Sequence, residues 1–159
     1  MKQILSMPES QNIEYKSSWR DEYLKWICGF ANANGGKIYI GVDDTGNVLG
    51  VQSTKKLLED IPNKVINHLG ISIEANLLTK EDLEYIELIV PKSGLPISYH
   101  GGFYYRSGST KQELRGAALH DFLLRKMGKT WDGISQEGAS INVFKHFKDK
   151  RASSLIFDL

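Results

Sequence analysis

The sequence contains a single cysteine, Cys28, in 159 residues, which excludes an internal disulfide and metal sites built from several cysteines. Cys28 lies within an apolar pattern of helical spacing, so we interpret it as a small core residue rather than a nucleophile. No apolar run is long enough to span a bilayer, and no charged segment followed by an apolar one opens the sequence. We therefore expect a cytoplasmic protein.

An excess of charge of either sign is also lacking. The chain has 20 lysine and arginine residues against 19 aspartate and glutamate residues, a formal net charge of +1. This balance creates no overall field that would attract a polyanion, so binding to nucleic acid would require a local basic patch. The 4 histidines lack zinc-site spacing, and the glycine runs match neither a Walker A loop nor a dinucleotide-binding fingerprint. No nucleotide cofactor is predicted.

Hydrophobic residues make up 41% of the sequence and charged residues 25%, values typical of a globular domain with a core. Alternating residues predict a strand that begins near Asn12. Apolar residues at helical spacing predict a helix from Asp21, as its N-cap, to about Ala33. Asn34 and the two glycines after it should end this helix, because glycine readily adopts the left-handed conformation.

A β-hairpin is predicted next, with strands at residues 37–42 and 47–51 joined by a turn at 43–46. Apolar residues between Leu57 and Leu69 then predict a second helical stretch. Pro62 falls inside that stretch and should break it, because proline lacks the N–H that a helix interior needs.

The second half of the chain predicts more strands and a last helix. The four strands, identified from alternation and turn residues, are 71–78, 85–90, 97–99 and 103–106. The last two would form a hairpin across Gly101 and Gly102. Thr110 and Glu113 have the spacing of a capping box, which predicts a helix from there to about Gly128.

These elements predict one α+β domain, a mostly antiparallel sheet with helices packed on it. Hairpin turns argue against a purely parallel sheet, although a parallel pairing of the first strand stays open. We place this domain at residues 1–132. Residues 133–159 differ in character, with a short basic stretch and interleaved phenylalanines, and are interpreted as a short tail or the start of a further domain.

Three carboxylates could form a metal site if the ends of their strands meet: Glu9, Glu14 and Asp44. Such a cluster would hold Mg²⁺ or Mn²⁺, which prefer oxygen ligands, and could activate a water for phosphodiester cleavage. Spacing alone favours the simpler interpretation, in which the glutamates are solvated and the aspartate is part of a turn.

Basic and hydroxyl side chains suggest a second kind of site. In a strand, Lys16 would face the same side as Glu14. The candidate phosphate contacts are Lys16, Arg106, Ser107, Ser109, Thr110 and Lys111, the later ones at the start of the predicted last helix. Tyr104 or Tyr105 could stack on an unpaired base. The alternative is a helix cap with a solvated arginine.

Three sequence segments together resemble the Schlafen-type AlbA-2 domain: Glu-Ser-x-x-x-Glu-Tyr-Lys from Glu9, Phe-Ala-Asn-x-x-Gly-Gly from Phe30, and Ile-Gly-Val-Asp-Asp-x-Gly from Ile40. The segment at 104–110 is similar to that family's closing hairpin and loop. The resemblance covers about residues 7–132. It implies an α+β nucleic-acid-binding fold, common at the N-terminus of bacterial proteins predicted to be transcriptional regulators or labelled helicase-related. Those proteins usually continue into further domains, which leaves open whether this chain is a fragment of a longer protein.

In vertebrate Schlafen proteins, a domain of two such lobes cuts tRNA and rRNA with two glutamates and one aspartate. The resemblance carries these roles to Glu9, Glu14 and Asp44. This chain has one lobe, so a clamp around RNA would require a homodimer.

The sequence thus leaves three hypotheses. The first is a DNA-binding module of a transcriptional regulator, which needs no cofactor. The second is an endoribonuclease that depends on Mg²⁺ or Mn²⁺. The third is a protein-interaction or dimerisation domain whose acidic residues are structural. None of the three involves a membrane.

Overall fold

The computed structural model describes residues 12–108 and 110–136, with side chains described as far as residue 128. The chain divides into two compact units, the first ending at Gly116 and the second beginning at Ala117. Among the described residues, no helix is both long and apolar enough to cross a bilayer.

The first unit is built on a four-stranded mixed sheet in the order β1-β2-β4-β3. The strands are β1 (Ile13–Lys16), β2 (Gly36–Ile40), β3 (Glu74–Lys80) and β4 (Leu83–Val90). β1 runs parallel to β2, and the other two pairings are antiparallel. The α+β class is confirmed, and the pairing of the first strand that the sequence left open is the parallel one.

Helix α1 spans Leu24–Asn32 and follows a single 3-10 turn at Asp21–Tyr23. The predicted N-cap is wrong, because the Asp21 carboxylate accepts hydrogen bonds from the Trp19 indole at 2.9 Å and from Lys64 at 2.7 Å instead. The predicted end is confirmed: Gly35 has φ of +74°.

Residues 42–50 form only part of the predicted hairpin, a single bridge between Val42 and Val48. The chain turns sharply at Gly41, which has φ of +98° and whose carbonyl accepts from the N–H groups of both Leu49 and Gly50. The regular partners of β2 are therefore β1 and β4, not the returning segment.

Helix α2 spans Thr54–Leu69 without interruption, so the break expected at Pro62 is wrong. Ile61, Val65 and Leu69 belong to the buried core cluster, and the first two are fully inaccessible to solvent. Burial of this face stabilises the helix on both sides of the proline by more than the lost backbone hydrogen bond costs.

The largest correction concerns the end of the first unit. β5 (Phe103–Ser107) pairs with β6 (Thr110–Leu114) in an antiparallel hairpin, and Gly108 between them has φ of +62°. The capping-box interpretation of Thr110 and Glu113 is therefore wrong, because strand pairing already satisfies that backbone. Of the hairpin predicted between residues 97–99 and 103–106, the structure has one isolated bridge, between Tyr99 and Gly102.

Helix α3 spans Gly116–Gln136, and all of it after Gly116 belongs to the second unit. It begins after the hairpin and continues past Gly128, where the sequence predicted an end.

The core of the first unit lies between the sheet and its two helices. α1, α2 and one face of β2 and β4 contribute fully buried side chains, among them Ile27, Phe30, Ile38 and Leu88. Cys28 is also fully buried there, as predicted. The opposite face of the sheet has a row of tyrosines, Tyr15, Tyr39 and Tyr85, with ring centroids 5.9 and 6.3 Å apart.

Candidate nucleic-acid interface

Helix α1 lies unusually close to strand β5, which brings the candidate site together. A Cβ atom at Gly29 would lie 3.3 Å from the backbone nitrogen of Arg106, so any other residue would require a shift of a few tenths of an ångström. Trp26 and Phe30 are one helical turn apart and share a face of α1. Arg106 is on β5, and its side chain lies against the Trp26 and Phe30 rings of this helix face.

Arg106 is completely buried and forms the base of the site. Its Nη1 donates to Oε1 of Glu14 at 2.8 Å, and its Nη2 donates to the carbonyl of Ile13 at 3.0 Å. The guanidinium lies 4.5 Å from the ring centroid of Phe30 and 5.2 Å from that of Trp26. The guanidinium thus donates to two oxygens and lies over two aromatic rings, both of which are favourable partners for a planar cation.

Lys16 lies on the same side of β1 as Glu14, as the alternation predicted. Its Nζ is 3.2 Å from Oε2 of Glu14, so this buried carboxylate faces two cations, one at each oxygen. The ammonium group also lies 4.4 Å from the ring centroid of Trp26 and 4.7 Å from that of Tyr23.

Two further lysines approach the same rings. Lys111 Nζ, on β6, lies 5.5 Å from the centroid of Trp26 and 5.4 Å from that of Tyr104, while Lys25 Nζ lies 5.8 Å from Tyr104. Partial burial, followed by the positive charges of Lys25 and Lys16, lowers the pKa of Lys111 below its ordinary value. The lysine–aromatic cluster consists of Lys16, Lys25 and Lys111 with the rings of Tyr23, Trp26 and Tyr104.

The structure separates the predicted phosphate contacts into three groups. Lys16 and Lys111 belong to the lysine–aromatic cluster. Arg106 lies beneath it with no exposed surface. Ser107 and Thr110 are exposed at the β5–β6 turn, where the Thr110 hydroxyl donates to the Ser107 carbonyl at 2.9 Å. Ser109 lies outside the described residues. Because this segment is a hairpin, no helix N-terminus contributes here.

The predicted acidic residues are placed differently. Glu14 is engaged by Arg106 and Lys16, Asp44 is exposed in the turn after β2, and Glu9 lies outside the described residues. Within residues 12–108 and 110–136, no group of three or more histidine, cysteine, aspartate or glutamate side chains is arranged to hold a metal ion. The metal site of Glu9, Glu14 and Asp44 stays a prediction.

The neighbouring Asp43 organises its own turn. Its Oδ1 accepts from the hydroxyl and the N–H of Thr45 and from the N–H of Asn47, at 2.7 to 2.9 Å. The hydrogen bond from the Thr45 side chain is the main cause that lowers the pKa of Asp43.

Sequence reasoning missed the roles of Lys25, Trp26 and Asn32. Asn32 is buried in α1, and its amide donates to the carbonyls of Ile97 at 2.8 Å and Tyr104 at 2.7 Å. Its Oδ1 accepts from the N–H of Ile97 at 2.7 Å. A polar residue within an otherwise apolar helical stripe was the available signal that Asn32 binds backbone groups.

Comparison with known proteins adds a family and a fold. A family model described as Schlafen, AlbA_2 matches residues 9–115. No curated protein matches the sequence. Among solved structures, the DIP2311 protein from Corynebacterium diphtheriae is similar with a TM-score of 0.60 at 14% identity, over 73% of this chain and 24% of that chain.

A second solved structure is the N-terminal domain of a protein from Nitrosomonas europaea described as related to the ATP-dependent DNA helicase RecG. It has a TM-score of 0.47 at 20% identity, over 70% of this chain and 87% of that chain. The likeness to the Corynebacterium protein concerns the fold alone, and this chain spans about a quarter of that protein's length.

Proposed function

We propose that this chain, which belongs to the Schlafen AlbA_2 family, is a nucleic-acid-binding module whose lysine–aromatic cluster contacts the phosphate backbone. The observation that carries the proposal is the convergence of three ammonium groups on the rings of Trp26 and Tyr104, each within 5.8 Å of a ring centroid. A basic patch with interleaved aromatic residues is the local feature that a chain of balanced charge needs to attract a polyanion.

The electrostatics of the cluster favour an anionic ligand. Lys16, Lys25 and Lys111 repel one another, and this repulsion contributes to the lowered pKa of Lys111. A phosphate placed among them would replace repulsion with attraction. It would also release condensed counterions from the nucleic acid, which is the main source of affinity in non-specific binding.

The rings are better placed to support the lysines than to stack on bases. A base that stacked on Trp26 would displace ammonium groups whose contacts with the ring each contribute about 0.5–1 kcal/mol at an exposed site. Stacking of one base contributes about 1–3 kcal/mol of binding free energy, so the loss of two or three cation–ring contacts would cancel most of that contribution. A phosphate requires no such displacement. The proposal therefore includes weak sequence preference.

The buried part of the site supports binding rather than cleavage. A metal ion at Glu14 would have to compete with Arg106 and Lys16, which already occupy both oxygens of the carboxylate. We therefore assign Glu14 and Arg106 the task of positioning the cluster from below. The proposal extends to DNA as the natural ligand and to a regulatory role for the module.

The proposal is tested by fluorescence anisotropy with labelled duplex DNA and labelled single-stranded RNA at low salt. Lys25→Gln and Lys111→Gln are each expected to weaken binding severalfold to both ligands. Lys55→Gln, at an exposed position on α2, removes the same charge elsewhere and should leave the affinity unchanged. Equal losses in all three variants would refute the assignment of the site.

A further inference from the structure

Strand β3, Glu74–Lys80, is the last strand at one edge of the four-stranded sheet in the described part of the chain. It pairs with β4 over seven consecutive residue pairs, and its sequence contains no proline. In an antiparallel ladder, alternate residues turn their N–H and C=O groups away from the partner strand. The outer side of β3 therefore presents a regular row of backbone donors and acceptors, a template for another strand.

We propose that a second copy of this chain occupies the edge, with β3 paired antiparallel to the partner's β3 about a two-fold axis at Leu77. This arrangement is isologous, as closed dimers require. Read in opposite directions from Leu77, the two strands place Glu74 opposite the partner's Lys80, and Lys80 opposite the partner's Glu74. Both ends of the pairing thus join opposite charges.

The side chains at the centre are also compatible. Leu77 is 40% exposed although it pairs with the fully buried Ile86, so its apolar surface lies uncovered at the rim of the core. At the two-fold axis it would contact the partner's Leu77. Directly opposite residues lie on the same face of a sheet, and apolar pairs at such positions stabilise strand pairing.

Edge strands that avoid self-association commonly present a proline, a bulge or a like charge to an incoming copy. β3 has none of these within its seven pairs with β4, and its two charged residues, Glu74 and Lys80, complement rather than repel a second copy. A single pair of strands forms a small interface, so we expect a dimer that dissociates on dilution. This inference does not depend on the proposed nucleic-acid binding.

The test is sedimentation equilibrium of the full chain over a range of concentrations. Glu74→Lys places lysine opposite lysine at both ends of the pairing, and Lys80→Glu places glutamate opposite glutamate. Each variant is expected to weaken dimerisation by roughly tenfold. The doubly exchanged variant, Glu74→Lys with Lys80→Glu, restores opposite charges and should dimerise like the original chain, as should an equimolar mixture of the two single variants.

The matched controls are Glu59→Lys and Lys55→Glu, which make the same changes in net charge at exposed positions on α2. They should leave dimerisation unchanged, and circular dichroism should show every variant folded. A chain that is monomeric at its highest soluble concentration would overturn the proposal. So would a dimer that none of the β3 charge changes affects, or one that the double exchange fails to restore.

Discussion

Replacement of Glu14 by glutamine tests the base of the candidate site. Glu14 is buried and accepts from Arg106, whose side chain has no exposed surface. Glutamine keeps the shape and one acceptor oxygen but leaves the guanidinium without a counter-charge. Removal of one charge of a buried pair costs about 3–5 kcal/mol. Arg106 retains the carbonyl of Ile13 and two aromatic rings, so we expect the lower end of that range.

The assay is urea denaturation together with thermal unfolding. A loss of about 3 kcal/mol in the free energy of unfolding corresponds to a fall of roughly 10 °C in the melting temperature. The matched control is Glu113→Gln, the same chemical change at an exposed glutamate that pairs with the exposed Arg115. It should cost less than about 0.5 kcal/mol. If Glu14→Gln costs no more than this control, the buried ion pair does not hold the site together and our reasoning is wrong.

Three other predictions follow from the same contacts. Asn32→Ala removes three buried hydrogen bonds to the backbone, leaving the Ile97 carbonyl only the weak thiol donor of Cys28, and should cost about 3 kcal/mol in unfolding free energy. Asn63→Ala, exposed on α2, should cost little. Burial raises the pKa of the Cys28 thiol to about 11, so a thiol reagent should label the protein in denaturant and not in the native state; rapid native labelling would contradict the packing of α1. A single strand with abasic positions should bind within about threefold of the intact strand, because stacking of even one base would make the difference roughly fivefold or more.

The sequence predicted the elements whose pattern is local. β1, α1 and β4 have clear alternation or helical spacing, and their positions follow directly from it. Thr110 and Glu113 were misassigned because their spacing fits both a capping box and one strand of a hairpin. What decides between the two is the pairing of Arg106 with Lys111 across the turn at Gly108, and a local pattern does not contain that pairing.

The candidate site was predictable only in part for a related reason. Lys16 and Lys111 were identified as candidate phosphate contacts. The sequence did not show that both ammonium groups approach the ring of Trp26, which lies on a helix far from β6 in sequence. That meeting depends on the close approach of α1 to β5 at Gly29. The burial of Arg106 has the same origin, since its counter-charge, Glu14, lies at the opposite end of the first unit's sequence.

The central claim, that the lysine–aromatic cluster binds nucleic acid through phosphates, is tested most directly by the salt dependence of duplex DNA binding with a chelator present. Three phosphate contacts predict a slope of about −3 in a plot of log affinity against log salt concentration. The double variant Lys25→Gln with Lys111→Gln should make that slope shallower by about 2, while Lys55→Gln should not change it. Binding that is independent of salt, or a slope that the double variant leaves intact, would contradict the account.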